Sequence, residues 1–214
     1  MKGTTHLAIG GAVGVAASLY YPISFNSTIM YLSVAGFSAL SADLDGPSLL
    51  SGKLSKVSKL LRNLVLWVGV GLIITLAYMY FMQNKLYPIF TTSAVTVFLL
   101  GFVTKEGTIR NALVSLIGLA LLYFGWDSQQ NWLMGFGLFI AWAPWLKHRG
   151  MTHTVWALLL WGAIGWGLEQ QLQIVGITFV AVAGYASHLL ADTLTPNGVK
   201  WLYPLYKKSI KLRI

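Results

Sequence analysis

The chain contains no cysteine, which excludes disulfides, thiolate metal sites and a cysteine nucleophile. Imidazole and carboxylate are left as the strong metal donors. Charge is also scarce: Asp, Glu, Lys and Arg make up 10% of 214 residues against 56% hydrophobic, where a water-soluble domain carries about a quarter charged. With a mean hydropathy of +0.67, that shortage excludes a soluble globular domain and points to a membrane. A His-Glu-x-x-His helix, a Gly-x-Ser-x-Gly elbow and a Walker loop are missing too, which disfavours a peptidase or a nucleotide-driven pump.

What is present is a series of apolar runs near 5–22, 28–42, 64–82, 86–103, 110–125, 131–146, 152–168 and 172–191. Each is long enough, or nearly so, to cross a bilayer as a helix. The expectation is an all-α, polytopic membrane helix bundle of about eight transmembrane spans, forming one integral membrane domain over 1–214. Asp45-Gly46-Pro47 and Thr195-Pro196-Asn197-Gly198 are turn sequences that end helices. The tail 199–214 mixes Trp201, Tyr203 and Tyr206 with Lys207 and Lys208, the composition of a segment lying at headgroup level. A signal peptide is the competing reading of the N-terminus, since Lys2 precedes an apolar stretch ending in Ala16, Ala17 and Ser18.

The net charge of +9 would suggest nucleic acid in a soluble protein. Threaded through eight spans from a cytoplasmic N-terminus, however, every Lys and Arg except Lys85 falls on one side. This is the positive-inside pattern. The charge encodes an N-in, C-in orientation in the cytoplasmic (inner) membrane, and no nucleic-acid partner is needed to explain it.

The same threading places the polar residues. All four histidines and three of the six acidic residues fall in four short islands: Thr5-His6, Asp43-Leu44-Asp45, His148 to His153, and His188 to Asp192. Each island lands at the cytoplasmic end of a span, which suggests that they meet and bind a metal. His188 and Asp192 are spaced i, i+4 on one helical face. Asp43 and Asp45 supply paired oxygens. Thr152 suits an N-cap, with His153 in the first helical turn. Arg149 can grip a phosphate or carboxylate. Ser41, Ser187, Thr193, Thr195 and Asn197 read as caps or supporting partners, and Glu106, Asp127 and Glu169 as solvated loop residues.

Taken together, Met1-Lys2-Gly3-Thr4-Thr5-His6, Asp43-Leu44-Asp45, His148-Arg149-Gly150-Met151-Thr152-His153, and Gly184 to Asp192 followed by Thr195-Pro196-Asn197-Gly198 resemble the YdjM-like, LexA-regulated family of bacterial inner-membrane proteins. The resemblance covers nearly the whole chain. It implies a multi-span protein with a metal site built from His6, Asp43, Asp45, His148, His153, His188 and Asp192, and a metal-dependent hydrolase label that includes a looser similarity to zinc-dependent phospholipase C. Family members often carry Pro-Asp-x-Asp-His, whereas here Ala42 precedes and Gly46 follows, so one ligand is missing.

A His/Asp cluster suits hydrolysis by metal-activated water. The expected substrate is an ester or phosphoester of a lipid or amphiphile whose apolar part stays in the inner leaflet, cleaved at a site facing the cytoplasm. One or two divalent ions, zinc first and manganese second, would be bound by His6, Asp43, His153, His188 and Asp192. Asp45 or His148 would complete the shell or act as general base, and Arg149 would neutralise the substrate's anion. The alternatives are a metal or proton transporter, a metal-binding membrane protein without hydrolase activity, and a metal-free lipid phosphatase with a histidine nucleophile.

Overall fold

The computed structural model describes residues 1–22 and 24–212. Arg213, counted above among the inner-face cations, lies outside the described residues, as does the end of the tail. Among the described residues the protein is all-α. Its helices are α1 (Gly3–Tyr20), α2 (Phe25–Ser41), α3 (Gly52–Gln83), α4 (Pro88–Val103), α5 (Glu106–Asp127), α6 (Asn131–Trp142), α7 (Val155–Leu172) and α8 (Ile177–Thr193), with 3-10 turns at Ala42–Asp45, Ala143–Trp145 and Met151–His153. Each expected apolar run has its helix. By length and composition two of them, α3 and α5, are sufficient to cross a membrane, and α4 is a shorter apolar helix.

Helix α3 starts twelve residues before the apolar run. Lys53, Lys56, Lys59 and Arg62 alternate with Leu54, Val57, Leu60 and Leu61, a pattern that supports helix without supporting burial in lipid. At about 1.5 Å per residue, 32 residues rise about 48 Å, against a hydrocarbon core of about 30 Å. The basic end therefore projects beyond a bilayer that the rest could span.

The described chain falls into two compact units, one of Met1–Ser51 with Val114–Ile214 and one of Gly52–Leu113. In the second, Arg62 pairs with Glu106 at 3.2 Å, so Glu106 opens α5 in an ion pair rather than lying in a solvated loop.

The first unit holds every island. Small residues let helix backbones approach closely, and α1, α2 and α8 show this directly. A Cβ on Gly10 of α1 would lie 2.6 Å from Ala39 Cβ, and one on Gly184 of α8 would lie 2.7 Å from the Ala35 carbonyl oxygen. Both neighbours belong to α2, which is gripped between the other two helices with no room for a side chain. Ala17, Tyr31, Ala35, Ile177 and Val180 form the buried cluster between these helices, and the Tyr31 hydroxyl donates to the Val175 carbonyl at 2.7 Å.

Local chemistry sets the helix ends. Ser24 and Ser27 form a reciprocal capping box at the start of α2. Past its end the chain tightens into the turn Ala42–Asp45, and Pro47 cannot extend it. The start of α8 is capped by Glu169, whose carboxylate accepts from the backbone N–H of Gly176 at 3.2 Å and Thr178 at 2.7 Å. Glu169 is therefore a helix cap, not a solvated loop residue, because the free N–H groups at a helix start attract an anion.

The N-cap of α7 is Thr154, whose side chain accepts from Ala157 N. Sequence placed that cap at Thr152, but the Thr152 hydroxyl is engaged elsewhere and helix starts only at Val155. The segment after α8 docks rather than trails: Val199 pairs with Ile210 in an isolated antiparallel bridge, Trp201 Nε1 donates to Thr193 Oγ1 at 3.0 Å, and Val155 N donates to the Trp201 carbonyl at 2.9 Å.

Candidate metal centre

The packing of α1, α2 and α8 carries four chain segments to one place. His6 comes from the first turns of α1, Asp43 and Asp45 from the 3-10 turn after α2, His148 to His153 from the link between α6 and α7, and His188 with Asp192 from the last turns of α8. His6, Asp45, His153, His188 and Asp192 are buried, Asp43 is half-buried, and His148 is exposed. All seven sequence-expected ligands gather here. The half-solvated position that a lone helix-end histidine would take does not apply to His6, which is 1% exposed.

At the centre stand His153 Nε2, His188 Nε2, Asp43 Oδ1 and Asp192 Oδ2. The two imidazole nitrogens are 3.2 Å apart. Asp43 Oδ1 lies 3.7 Å from His153 Nε2 and 3.6 Å from His188 Nε2, and Asp192 Oδ2 lies 3.8 and 3.9 Å from the same two atoms. A tetrahedral zinc shell with bonds near 2.0–2.1 Å separates its donors by about 3.3 Å. The imidazole pair is slightly closer than that spacing and the four imidazole–carboxylate separations are slightly wider. His6, Asp43 and His188 form an overlapping set of donors, as do Asp43, Asp45 and His148.

Two features test whether these residues fit a cation. His188 Nδ1 is 2.7 Å from the Ala39 carbonyl, an acceptor only, so Nδ1 carries the proton and Nε2 offers its lone pair to the centre. The His6 ring stacks on His188 with centroids 3.9 Å apart. Its Nε2 lies 3.4 Å from Asp192 Oδ1, while its Nδ1 is buried with no hydrogen-bond partner among the described residues. Lone pairs aimed into a buried, carboxylate-lined space are the donor set a borderline divalent ion takes.

Asp45 is engaged differently. Its Oδ1 is 2.7 Å from His148 Nδ1, and its Oδ2 accepts from Arg149 N at 3.1 Å and Thr152 Oγ1 at 2.6 Å. Burial pushes this carboxyl up, yet the hydrogen bonds from His148, His153 and Thr152 outweigh it and hold its pKa at about 2. In return the bond to Asp45 raises His148. Among the described residues Asp43 has no comparable donors, and burial raises its pKa.

Arg149, expected to face substrate, instead sets Nη2 on Asp192 Oδ2 at 3.0 Å and Nη1 3.3 Å from both Thr195 Oγ1 and the Gly198 carbonyl. The N-terminal ammonium meets Asp192 Oδ1 at 2.9 Å. The backbone of Arg149 has φ 57°, a region a non-glycine residue rarely occupies, which turns its N–H toward Asp45.

The supporting residues behave unevenly. Thr195 meets Arg149 as expected of a supporting partner, while the hydroxyls of Ser41 and Ser187 serve backbone carbonyls within their own helices. Sequence reasoning missed the Ala39 carbonyl, which leaves no trace in a side-chain pattern. It also missed Tyr185, whose hydroxyl donates to the Thr152 carbonyl. Thr152 was singled out in the sequence, but as a helix cap rather than as a partner of Asp45. Beside this residue an apolar cavity of about 200 Å³ is lined by Phe139, Trp142, Leu146, Met151 and Trp156.

With this geometry in hand, comparison with known proteins decides the family. The family model described as YdjM inner membrane protein matches residues 1–214. The chain belongs to the YdjM inner membrane protein family. No curated protein and no solved structure matches it. The YdjM match agrees with the motif resemblance and makes the chain an inner-membrane protein whose buried His/Asp groups could bind metal.

Proposed function

We propose that this YdjM protein is a membrane-embedded, metal-dependent hydrolase whose site lies at the cytoplasmic headgroup level of an eight-span bundle. The observation that carries the reading is the central group: two imidazole nitrogens 3.2 Å apart, with Asp43 Oδ1 and Asp192 Oδ2 each 3.6 to 3.9 Å from both, contributed by three separated stretches of chain. Clustering buried ionisable groups in lipid is costly, and a cation offsets that cost. Asp43, His153, His188 and Asp192 would hold the ion, with His6 Nδ1 in reserve for a fifth position or a second ion. Zinc is the first choice and manganese the second.

When bound, such an ion supplies Lewis acidity and lowers the pKa of water to about 7. The chain's own residues do the rest. His148, exposed at the rim with Nδ1 held by Asp45, is placed to take a proton from water. Arg149 fixes Asp192. The apolar cavity beside Thr152 supports a substrate with a hydrocarbon part, an ester or phosphoester of a lipid or amphiphile. The positive-inside distribution supports the cytoplasmic placement.

The test is elemental analysis of purified protein, followed by a cleavage screen with nitrophenyl esters, nitrophenyl phosphodiesters and short-chain phospholipids, with and without chelator. The expected result is about one or two bound divalent ions per chain and chelator-sensitive cleavage of at least one substrate. Bound metal without cleavage, together with metal uptake into sealed proteoliposomes, would move the protein to the transporter class. Cleavage that survives complete metal removal would favour the histidine-nucleophile phosphatase.

A further inference from the structure

Thr152 occupies a decisive position. Its hydroxyl has one proton, and that proton is directed to Asp45 Oδ2 at 2.6 Å. Thr152 Oγ1 also lies 3.0 Å from His153 Nδ1. With its proton committed to the carboxylate, Thr152 Oγ1 meets the imidazole as an acceptor, so His153 Nδ1 is the donor of that bond. Asp45 Oδ2 itself stands 3.4 Å from the same nitrogen and draws the proton the same way. His153 is therefore the Nδ1–H tautomer, and its Nε2 carries a lone pair.

That result changes the meaning of the 3.2 Å separation between His153 Nε2 and His188 Nε2. The Ala39 carbonyl leaves His188 Nε2 unprotonated, and Thr152 leaves His153 Nε2 unprotonated. Two lone pairs face one another in a buried space, an arrangement that repels unless a cation lies between them. Moving the Nδ1 proton of either ring into the gap would leave the Ala39 carbonyl or Thr152 Oγ1 without its donor; a proton there that keeps both bonds makes one ring an imidazolium.

Asp45 cannot readily be a ligand in this scheme, since turning it would release His148 Nδ1, Arg149 N and the Thr152 hydroxyl together. It serves as the anchor of a carboxylate–hydroxyl–imidazole relay.

We infer that Thr152 is a positioning residue: its hydroxyl passes the acceptor demand of Asp45 to His153 and so aims an unprotonated Nε2 at the metal. The inference rests on the metal-binding part of the proposed function. A hydroxyl on a β-branched side chain suits the task, because Thr is stiff at χ1 and 1% exposed here, so the relay stays aligned without water. Outer partners of this kind typically account for 10- to 100-fold in metal affinity.

The experiment compares full-length wild type, Thr152→Val and Thr152→Ser in detergent, titrated with Zn²⁺ against a competing chelator and with Co²⁺ followed by its visible spectrum. The expected result is a loss of roughly 10- to 100-fold in affinity and an altered Co²⁺ spectrum for Thr152→Val, with Thr152→Ser within about threefold of wild type. Wild type that binds metal together with Thr152→Val that binds equally well would overturn the Thr152 role and leave the metal site standing. Equal losses in the Val and Ser variants would overturn it too. Wild type that takes up no metal would overturn both.

Should Thr152→Val fail to fold, ¹⁵N spectra of histidine-labelled, metal-free wild type still decide. A proton on His153 Nδ1 is expected, and a ring protonated at Nε2 but not at Nδ1 overturns the relay.

Discussion

His148 Nδ1 lies 2.7 Å from Asp45 Oδ1, and the two partners differ in surroundings: the imidazole side chain is 55% exposed and the carboxylate is fully enclosed. Such a pair links stability to pH with opposite signs at its two ends. Asp45, held at about 2 against an ordinary 3.8, contributes stability that is present above the ordinary value and fades as pH falls through the lowered one. His148, raised from 6.5, contributes stability that is complete below 6.5 and fades as pH climbs through the raised value. Melting temperature in detergent with chelator present should therefore fall as pH rises above 6.5, and His148→Ala should flatten that fall. An unchanged slope in that range in His148→Ala would assign the dependence elsewhere.

Asp43 has the reverse character, a carboxylate that burial pushes up and that has no hydrogen-bond donors comparable to those of Asp45 among the described residues. In metal-free protein Asp43→Asn removes a repelled charge and should leave the melting temperature equal or higher. With Zn²⁺ present the order inverts. A ligand at a hundred times its dissociation constant stabilises the wild type by about 2.7 kcal/mol, and the variant should gain much less. Thermal melts with and without metal check the crossover; parallel behaviour of the two proteins would remove Asp43 from the site.

The helix positions and the set of residues that gather at one place were legible because they depend on local sequence. Hydropathy marks lipid-compatible runs, and scarce polar residues stand out against them. It failed at the start of α3, where Lys53 to Arg62 are helical but not apolar, and at the Thr152 to Thr154 boundary, where three hydroxyl or imidazole side chains compete for one cap. Division of labour inside the site was beyond reach. Asp43 and Asp45 look alike in Asp-x-Asp, and only the turn Ala42–Asp45 and the positive φ of Arg149 decide that one faces His153 and His188 while the other accepts three donors.

His188 and Asp192 sit one turn apart at the centre, and their removal bears directly on metal. Ala substitution at either position should drop bound metal per chain to less than about a tenth of wild type, while the protein still elutes as a folded species in size exclusion. Metal content that is unchanged in folded His188→Ala or Asp192→Ala protein would end the assignment of the central group.

Gly184 tests whether the site depends on helix approach. It lies one turn before His188, and a Cβ there would meet the Ala35 carbonyl oxygen at 2.7 Å, Ser38 Cβ at 3.0 Å and Ala35 Cα at 3.1 Å. Backbone cannot yield as a side-chain tip can, so Gly184→Ala must push α8 away from α2. A loss of about 1–3 kcal/mol is expected from such overpacking. His188 would also be carried away from Asp43 and the Ala39 carbonyl, so metal affinity should fall with stability. Gly11, whose Cβ would meet nothing within 4 Å, supplies the control: Gly11→Ala should leave both quantities near wild type. Equal behaviour of the two variants would sink the close-packing explanation.

The proposed orientation can be checked because the chain has no cysteine of its own. Lys85 is the single basic residue assigned to the outer face, in the connection between α3 and α4, while Lys56 lies on the basic projection at the other end of α3. Moving charged segments across lipid is unfavourable, so the four cations from Lys53 to Arg62 should hold their end of α3 in the cytoplasm. In intact spheroplasts a membrane-impermeant maleimide should label Lys85→Cys and leave Lys56→Cys unlabelled until the membrane is permeabilised. The reverse pattern would put the histidine cluster on the outer face and remove inner-leaflet lipids from the candidate substrates.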